Sequence, residues 1–171
     1  MINIFAISGS LRTGSSNHTI LQYLRDIMPD DVDYTIYNEL ADIPAFDPGL
    51  DNDTPPAAVL DLRSKIANAD AIIICTPEYA FGVPGALKNA LDWTVSSGSL
   101  SGKPLALITA STSGQYAHEG MLRILGALDA KLNEETNLLI PFIRSKINAG
   151  SINEEISGKL QGLLKSLLSA L

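Results

Sequence analysis

The stretch AIIICTPEYAFGVPGALKNALDW, residues 71–93, contains a complete strand, loop and helix. Its first five residues, AIIIC, are apolar without interruption, which is typical of a strand buried on both faces of a sheet. Two prolines and two glycines in residues 77–85 predict a stiff loop. Pro84 begins a helix. Its predicted apolar positions include Leu87, Ala90, Leu91 and Val95.

The same alternation of short apolar runs and helical periodicity extends over the whole chain. The predicted strands cover residues 2–7, 32–37, 71–75, 105–110 and 137–143, and a helix follows each of them. Strands that are apolar throughout imply a parallel sheet covered on both faces, with right-handed crossovers. We therefore predict one α/β domain, residues 1–171, built as a three-layer α/β/α sandwich. Its ligands are expected at the carboxyl ends of the strands.

Two of the predicted helices have recognisable start signals in the sequence. Thr54 followed by Pro55 has a hydroxyl at the N-cap and a proline in the first turn. Ser151 with Glu154 three residues later resembles a capping box. These signals predict that the second and the last helix begin at Thr54 and Ser151.

Composition limits the partners and the compartment. The net charge of −7, without a cluster of Lys or Arg, argues against nucleic acid as a partner. No apolar run approaches the roughly 20 residues that a membrane-spanning helix needs. Cys75 is the single cysteine, so no intrachain disulfide can form, which fits a reducing, cytoplasmic location. The negative net charge is still compatible with an anionic ligand, since a local pocket of backbone N–H groups can hold phosphate even in an acidic protein.

The segment SGSLRTGSSN, residues 8–17, follows the first strand and opens the first helix, where α/β proteins bind phosphate. Its hydroxyl donors are Ser10, Thr13, Ser15 and Ser16. Arg12 supplies a guanidinium that suits a phosphate or a flat ring. A turn with a Ser/Asn helix cap is the alternative interpretation of the same residues.

Two known phosphate motifs can be tested on this segment. The dinucleotide fingerprint G-x-G-x-x-G is absent. Gly9 and Gly14 have the glycine spacing of the Walker motif, but Ser15 stands where that motif requires lysine. This pattern predicts a phosphate group that is held and not cleaved.

The second strand-end loop, residues 76–85, should lie beside the first. Its stiff backbone suits the polar edge of a planar heterocycle, and Tyr79 and Phe81 are candidates to flank the ring. The alternative is that these aromatics serve the core or an interface. Glu78 is expected to orient the loop by accepting backbone hydrogen bonds, while a catalytic acid role stays open.

The third strand-end loop, TASTSGQYAH at residues 109–118, is again small and hydroxyl-rich. Ser111 and Gly114 are candidates to approach the ring of the ligand. His118 is either a substrate contact or, more commonly for such a position, a histidine at a helix start or an interface. No spacing typical of metal ligands and no nucleophile–base pair occurs in the sequence.

Two segments, GSLRTGSSN at residues 9–17 and PEYAFGVPGALKNALDW at residues 77–93, resemble the NAD(P)H-dependent FMN reductase family. That family includes quinone, azo-dye and chromate reductases. The resemblance implies a flavodoxin-like fold with strand order 2-1-3-4-5, an FMN cofactor, NADPH or NADH as co-substrate, and a homodimer or homotetramer. It implies that the FMN phosphate and ribityl side are held by Ser10, Arg12, Ser15, Ser16 and Asn17.

For the isoalloxazine ring, the resemblance implies contacts from the second and third loops. These residues are Pro77, Glu78, Tyr79, Ala80, Phe81, Gly82, Ser111 and Gly114. One departure is visible, because many relatives have asparagine where this chain has Ala80. A polar contact of the side chain at that point is therefore not expected.

The predicted function is the reduction of a small acceptor (a quinone, free flavin, azo compound or metal oxyanion) by ping-pong hydride transfer from NAD(P)H. Flavin N5 carries the chemistry, so no catalytic acid–base pair is required. A non-enzymatic electron carrier of the flavodoxin type is one alternative, although its first loop is usually rich in threonine. A phosphate-ester hydrolase is another, although this chain lacks the cysteine-containing loop of such enzymes.

Overall fold

The computed structural model describes residues 1–148 and 150–171. Five parallel strands form one sheet in the order β2-β1-β3-β4-β5, as predicted. They are β1 (Ile2–Ser8), β2 (Val32–Tyr37), β3 (Ala71–Thr76), β4 (Leu105–Ala110) and β5 (Asn137–Ile140). The helices are α1 (Ser16–Asp26), α2 (Ala57–Asn68), α3 (Gly85–Asp92), α4 (Gln115–Ala127), α5 (Ile143–Lys146) and α6 (Glu154–Leu168).

The sheet separates two apolar cores, which explains why its central strands are apolar throughout. Along β3, Ile72 and Ile74 pack into the core on the side of α2, α3 and α4. Ala71, Ile73 and Cys75 point to the opposite core, which α1 and α6 cover. Because successive side chains of a strand alternate between faces, a strand between two helical layers needs apolar residues at every position. The three-layer α/β/α sandwich is thus confirmed.

Helix boundaries differ from the prediction at two places in the middle of the chain. α2 begins at Ala57 with Pro56 at the N-cap, so Thr54 is not its cap. Thr54 instead bonds to Asn52, through both its N–H and its hydroxyl. α3 ends at Asp92, and Val95 is 63% exposed rather than part of the apolar face of that helix.

The region after β5 also departs from the prediction. β5 ends at Ile140, and Ile143 begins the short helix α5. A small antiparallel hairpin follows, made of β6 (Ile147–Asn148) and β7 (Ser151–Ile152). Ser151 therefore lies in a strand, and Asn153 caps α6 by accepting a hydrogen bond from the N–H of Ile156 at 3.0 Å.

Parallel pairing brings the carboxyl ends of β1, β3 and β4 to one edge of the sheet. The three loops singled out in the sequence start at this edge, so the fold itself brings them together. Among the described residues, no helix is both long and apolar enough to cross a membrane.

Candidate functional site

A cavity of about 380 Å³ opens at this edge of the sheet. All three predicted loops contribute to its wall, together with the segment that follows β5. It is lined by Ser10, Arg12, Ser15, Ser16, Asn17, Pro77, Glu78, Tyr79, Ala110, Ser111, Thr112, Ile143 and Arg144. Nine of the thirteen residues predicted to bind the cofactor lie in this wall.

The first loop presents the beginning of α1 to the cavity. Ser15 is the N-cap, and its Oγ accepts a hydrogen bond from the N–H of His18 at 3.2 Å. The first bond of the helix itself runs from the N–H of Thr19 to the carbonyl of Ser15. The backbone N–H groups of Ser16 and Asn17 lie before this first bond in the chain, so they have no partner within the helix. Both residues line the cavity. Free N–H groups at the positive end of a helix favour an anion.

The side chain of Asn17 is engaged within the protein. It is buried, its Nδ2 donates to the carbonyl of Ala110 at 3.3 Å, and its Oδ1 accepts from the thiol of Cys75 at 3.2 Å. Burial raises the pKa of Cys75, so the group stays a thiol and donates this bond. Asn17 thus joins the first loop to the third. Its side-chain amide is used in these two hydrogen bonds, so its backbone N–H remains for a ligand. Cys75 is a packed thiol, as predicted.

The second loop forms a tight turn over residues 79–82. Tyr79 and Gly82 exchange two backbone hydrogen bonds of 3.0 Å each, and the two residues between them have positive φ, 49° at Ala80 and 58° at Phe81. Positive φ at both central positions defines a type I′ turn. The tip lies outside the cavity wall, so the structure does not bring Ala80, Phe81 or Gly82 into the lining.

Tyr79 and Phe81 have different surroundings. Tyr79 lines the cavity, and its Oη lies 3.3 Å from the Oγ of Ser10, which confirms that the first two loops are neighbours. Phe81 is 75% exposed and packs edge-on against Tyr116, with 5.2 Å between ring centroids. The interpretation of Phe81 as a core residue is therefore wrong.

The turn predicts a stabilising substitution, Ala80→Asn. A left-handed conformation costs an L-residue about 1–2 kcal/mol, and asparagine tolerates it better than alanine. We expect Ala80→Asn to raise the free energy of unfolding by about 1 kcal/mol, measured by urea denaturation. Ala80→Ser, which has no such preference, is the control. Equal stability of the two variants would contradict the strained turn.

Glu78 connects the second loop to the third. Its carboxylate accepts hydrogen bonds from the N–H of Gly114 at 3.2 Å and from the N–H of Ala117 at 2.9 Å, both at the start of α4. Its own N–H donates to the Oγ of Ser111 at 3.2 Å. α4 has no cap from its own N-cap side chain, because that residue is Gly114. Glu78 supplies the cap from another loop, which is the orienting role expected from the sequence.

The third loop divides its predicted residues between the cavity and the support behind it. Ser111 lines the cavity, whereas Gly114 is buried outside the lining with a φ of 90°. His118 also lies outside the lining, with its Nδ1 2.8 Å from the Oγ1 of Thr109. Burial lowers the pKa of His118, which favours the neutral ring. Gly114 and His118 therefore lie outside the cavity wall, and the structure does not bring them into the lining.

Four residues of the cavity wall were not predicted: Ala110, Thr112, Ile143 and Arg144. The first two flank the predicted Ser111 and follow from the position of the third loop. Ile143 and Arg144 lie in α5, whereas the apolar pattern predicts the end of a strand at Ile143 and a connection after it. The one available signal was a lone arginine shortly after a strand, which is too common to single out.

The charges of the cavity wall favour an anion. Arg12 and Arg144 line it, and within the described residues neither guanidinium has a carboxylate within 4 Å. Glu78 is the acidic residue in the wall, and its two oxygens accept from backbone N–H groups. The described residues contain no group of three or more His, Cys, Asp or Glu that could hold a metal ion. Phosphate, with its three oxygens and double charge, matches these donors.

Comparison with known proteins agrees with this geometry. The model of the family described as NADPH-dependent FMN reductase matches residues 2–142. The chain belongs to this family. A quinone reductase of Escherichia coli K12 is 33% identical over 153 residues, which cover 86% of this chain and 81% of that protein. A 2-hydroxy-1,4-benzoquinone reductase of a Burkholderia species is 33% identical over 165 residues, 92% of this chain and 89% of that protein.

A solved structure similar to this FMN reductase family member is FerB, a flavoenzyme NAD(P)H:(acceptor) oxidoreductase from Paracoccus denitrificans. It has a TM-score of 0.85 at 26% identity, covering 99% of this chain and 96% of FerB. The resemblance and the flavodoxin-like fold predicted from the sequence are thus confirmed. The protein is an NAD(P)H-dependent oxidoreductase with FMN as its cofactor. The prediction of an enzyme is confirmed over that of a non-enzymatic electron carrier.

Proposed function

We propose that the cavity at the carboxyl edge of the sheet holds FMN, and that the enzyme uses it to reduce a small acceptor such as a quinone. The observation that carries this proposal is the convergence of three strand-end loops on one cavity of about 380 Å³ with a donor-rich end. That volume lies in the usual range for small-molecule sites. The names of the relatives, quinone reductase and benzoquinone reductase, support the class of acceptor.

The phosphate end of the flavin would lie over the start of α1. There the N–H groups of Ser16 and Asn17 and the hydroxyls of Ser10, Ser15 and Ser16 would donate to the phosphate oxygens. Arg12 would add a charged donor. These groups are held in place before the ligand arrives, because Ser15 caps the helix and Asn17 is bonded to the third loop. Preorganised donors bind with little loss of side-chain freedom.

The ring end would lie along the second and third loops, beside Pro77, Tyr79 and Ser111. FMN bound there would supply the chemistry of hydride and electron transfer between NAD(P)H and the acceptor. The protein then has to bind, orient and shield the ring. The hydrogen bonds of Glu78 to α4 perform the orienting task, since they fix the distance between the two loops that form this wall.

Steady-state kinetics test the order of these events. If NAD(P)H and the acceptor use the same exposed ring face in turn, we expect ping-pong kinetics. Double-reciprocal plots of NADPH oxidation at several concentrations of 1,4-benzoquinone should be parallel. Free FMN should be tested as the second acceptor in the same assay. Intersecting lines with both acceptors would contradict alternate occupation of one site.

We also propose that two copies of the chain meet around this cavity. Tyr79 in the cavity wall is a large exposed apolar side chain, and others lie next to wall residues in the chain or pack against such neighbours: Leu11, Phe81, Tyr116 and Phe142. A cluster of exposed apolar residues beside a site is typical of an interface. Sedimentation equilibrium is expected to give twice the chain mass of 18.2 kDa, or four times if the dimers pair. A monomer at micromolar concentration would contradict the proposal.

For the compartment, we propose the reducing cytoplasm. The support is that Cys75, the single cysteine of the chain, is buried as a free thiol and forms no disulfide. Fractionation of cells producing the protein, followed by immunoblotting, tests this location. Recovery outside the cytoplasmic fraction would contradict it.

A further inference from the structure

Arg144 lines the proposed FMN cavity from a wall that the three predicted loops do not form. It belongs to α5, the four-residue helix that follows β5. Ile143 beside it is buried, while Arg144 itself is exposed at the cavity. An arginine in this position requires an explanation, because Ile143, the other residue of α5 that lines the cavity, is apolar and buried. The inference drawn from it rests on the proposed function.

The backbone of this segment is fixed to the third loop. The N–H of Phe142 donates to the carbonyl of Thr112 at 3.1 Å, and the N–H of Ile143 donates to the carbonyl of Ser111 at 3.1 Å. Phe142 has a φ of 54°, an unfavourable conformation for a large residue. Strain of this kind persists where the surrounding structure enforces it, and it is common at binding sites. The turn at Phe142 thus holds Arg144 at the cavity.

The same short stretch of the third loop also holds the beginning of α1. Asn17 bonds to the carbonyl of Ala110, and Ile143 bonds to that of Ser111, the next residue. The segment of Arg144 and the N-terminus of α1 are therefore anchored to consecutive residues. Because Arg144 lines the same cavity as Ser16 and Asn17, a ligand in that cavity can contact both Arg144 and the start of α1.

Charge balance gives the second reason. A phosphate monoester carries about 1.5 to 2 negative charges at pH 7. The segment predicted to hold the phosphate, residues 8–17, contains one cation, Arg12, and otherwise neutral donors. Arg144 adds a second guanidinium, and within the described residues no carboxylate lies within 4 Å of it. We propose that Arg144 and Arg12 together clamp the FMN phosphate, with Arg144 as the second charged ligand.

Binding of FMN and riboflavin to the flavin-free protein tests the clamp, since the two ligands differ only in the phosphate. Flavin fluorescence titrations would compare the wild-type chain with Arg144→Gln, Arg144→Lys and Arg12→Gln. We expect Arg144→Gln to raise the Kd for FMN about tenfold and to leave the Kd for riboflavin unchanged. Arg144→Lys should lose less FMN affinity than Arg144→Gln, because lysine keeps the positive charge but lacks the planar guanidinium. Arg123→Gln, which removes an exposed charge on α4 outside the cavity wall, is the matched control.

The outcomes separate the alternatives. An equal loss of FMN and riboflavin affinity would overturn the clamp in favour of a role in the ring site or the fold. Unchanged FMN affinity with a raised KM for NADPH would overturn it in favour of a co-substrate site. If Arg144→Gln fails to fold, a wild-type ratio of FMN to riboflavin affinity in both Arg144→Lys and Arg12→Gln would overturn it. A wild-type chain that binds neither flavin would contradict the proposed function itself.

Discussion

Replacing Glu78 by alanine is expected to lower the free energy of unfolding by about 2–3 kcal/mol. The substitution removes the acceptor of two N–H groups at the start of α4, those of Gly114 and Ala117. Hydrogen bonds to a charged partner contribute more than neutral ones, and the helix N-terminus adds a favourable interaction with the carboxylate. The second loop would also lose its connection to α4, so FMN affinity should fall together with stability.

Glu78→Gln separates this positioning role from a role as a catalytic acid. Glutamine keeps one carbonyl oxygen but presents an NH₂ to the other N–H, so we expect a loss of about 1–2 kcal/mol of stability. We expect the kcat of the FMN-saturated variant to stay close to the wild-type value, because both carboxylate oxygens of Glu78 accept hydrogen bonds from backbone N–H groups of α4. Urea unfolding and NADPH–quinone turnover at saturating FMN measure the two effects.

Glu119→Ala provides the matched control for Glu78→Ala. Glu119 lies in the same helix and is exposed, and its carboxylate accepts one hydrogen bond from Gln115. Loss of this exposed interaction should change the free energy of unfolding by less than about 0.5 kcal/mol. A Glu78→Ala variant as stable as Glu119→Ala would contradict the interloop cap. A Glu78→Gln variant with normal stability but a strongly reduced kcat would point to a catalytic acid.

Gly114→Ala is expected to destabilise the protein by about 2–4 kcal/mol. The φ of Gly114 is 90°, which alanine adopts only with strain. A Cβ at this position would also lie 3.0 Å from the Cδ1 of Leu139 and 3.2 Å from the Cγ2 of Thr109. Relief of these contacts would shift the start of α4, including the N–H that Gly114 donates to Glu78.

Gly126→Ala in the same helix is the control for this prediction. A Cβ at Gly126 would meet no atom within 4 Å, and its φ is not in the left-handed region. Alanine is a better helix former than glycine, so this variant should gain up to about 1 kcal/mol. Opposite signs of the two changes in urea denaturation would confirm that the conformation of Gly114, and not the loss of a glycine, determines the result. Destabilisation of both variants by the same amount would contradict it.

The fold could be predicted because its determinants are local and repeated. A central strand between two helical layers has to be apolar on both faces, and residues 71–75 show this without ambiguity. The helices are visible through the spacing of Leu87, Ala90 and Leu91, which indeed face one core. Parallel strands end at one edge, so the convergence of the loops followed from the fold. The contact between Ser10 and Tyr79 confirms it.

The errors occurred where tertiary contacts choose between equally good local signals. Serine and asparagine are both strong helix caps. The hairpin of β6 and β7 includes Ser151, which leaves Asn153 as the cap of α6. At α2, Thr54 is the stronger local N-cap signal, but Pro56 is the N-cap in the structure. A single sequence pattern thus allows several residues at which the helix could begin, and packing decides among them.

Arg144 was missed for a different physical reason. Its position depends on the left-handed conformation of Phe142, which the local sequence disfavours and which hydrogen bonds to the third loop enforce. The turn at Ala80 and Phe81 is a similar case, since residues of these types seldom occupy both central positions of a type I′ turn. Such conformations are strained, and only the assembled fold can show them.

A crystal structure of the FMN complex would show whether the three loops hold the flavin. We expect electron density for the flavin in the cavity between these loops. Its phosphate should lie within hydrogen-bonding distance of the N–H groups of Ser16 and Asn17, and its ring should lie beside Pro77 and Tyr79. Flavin density at another surface, or a phosphate remote from the start of α1, would contradict the site.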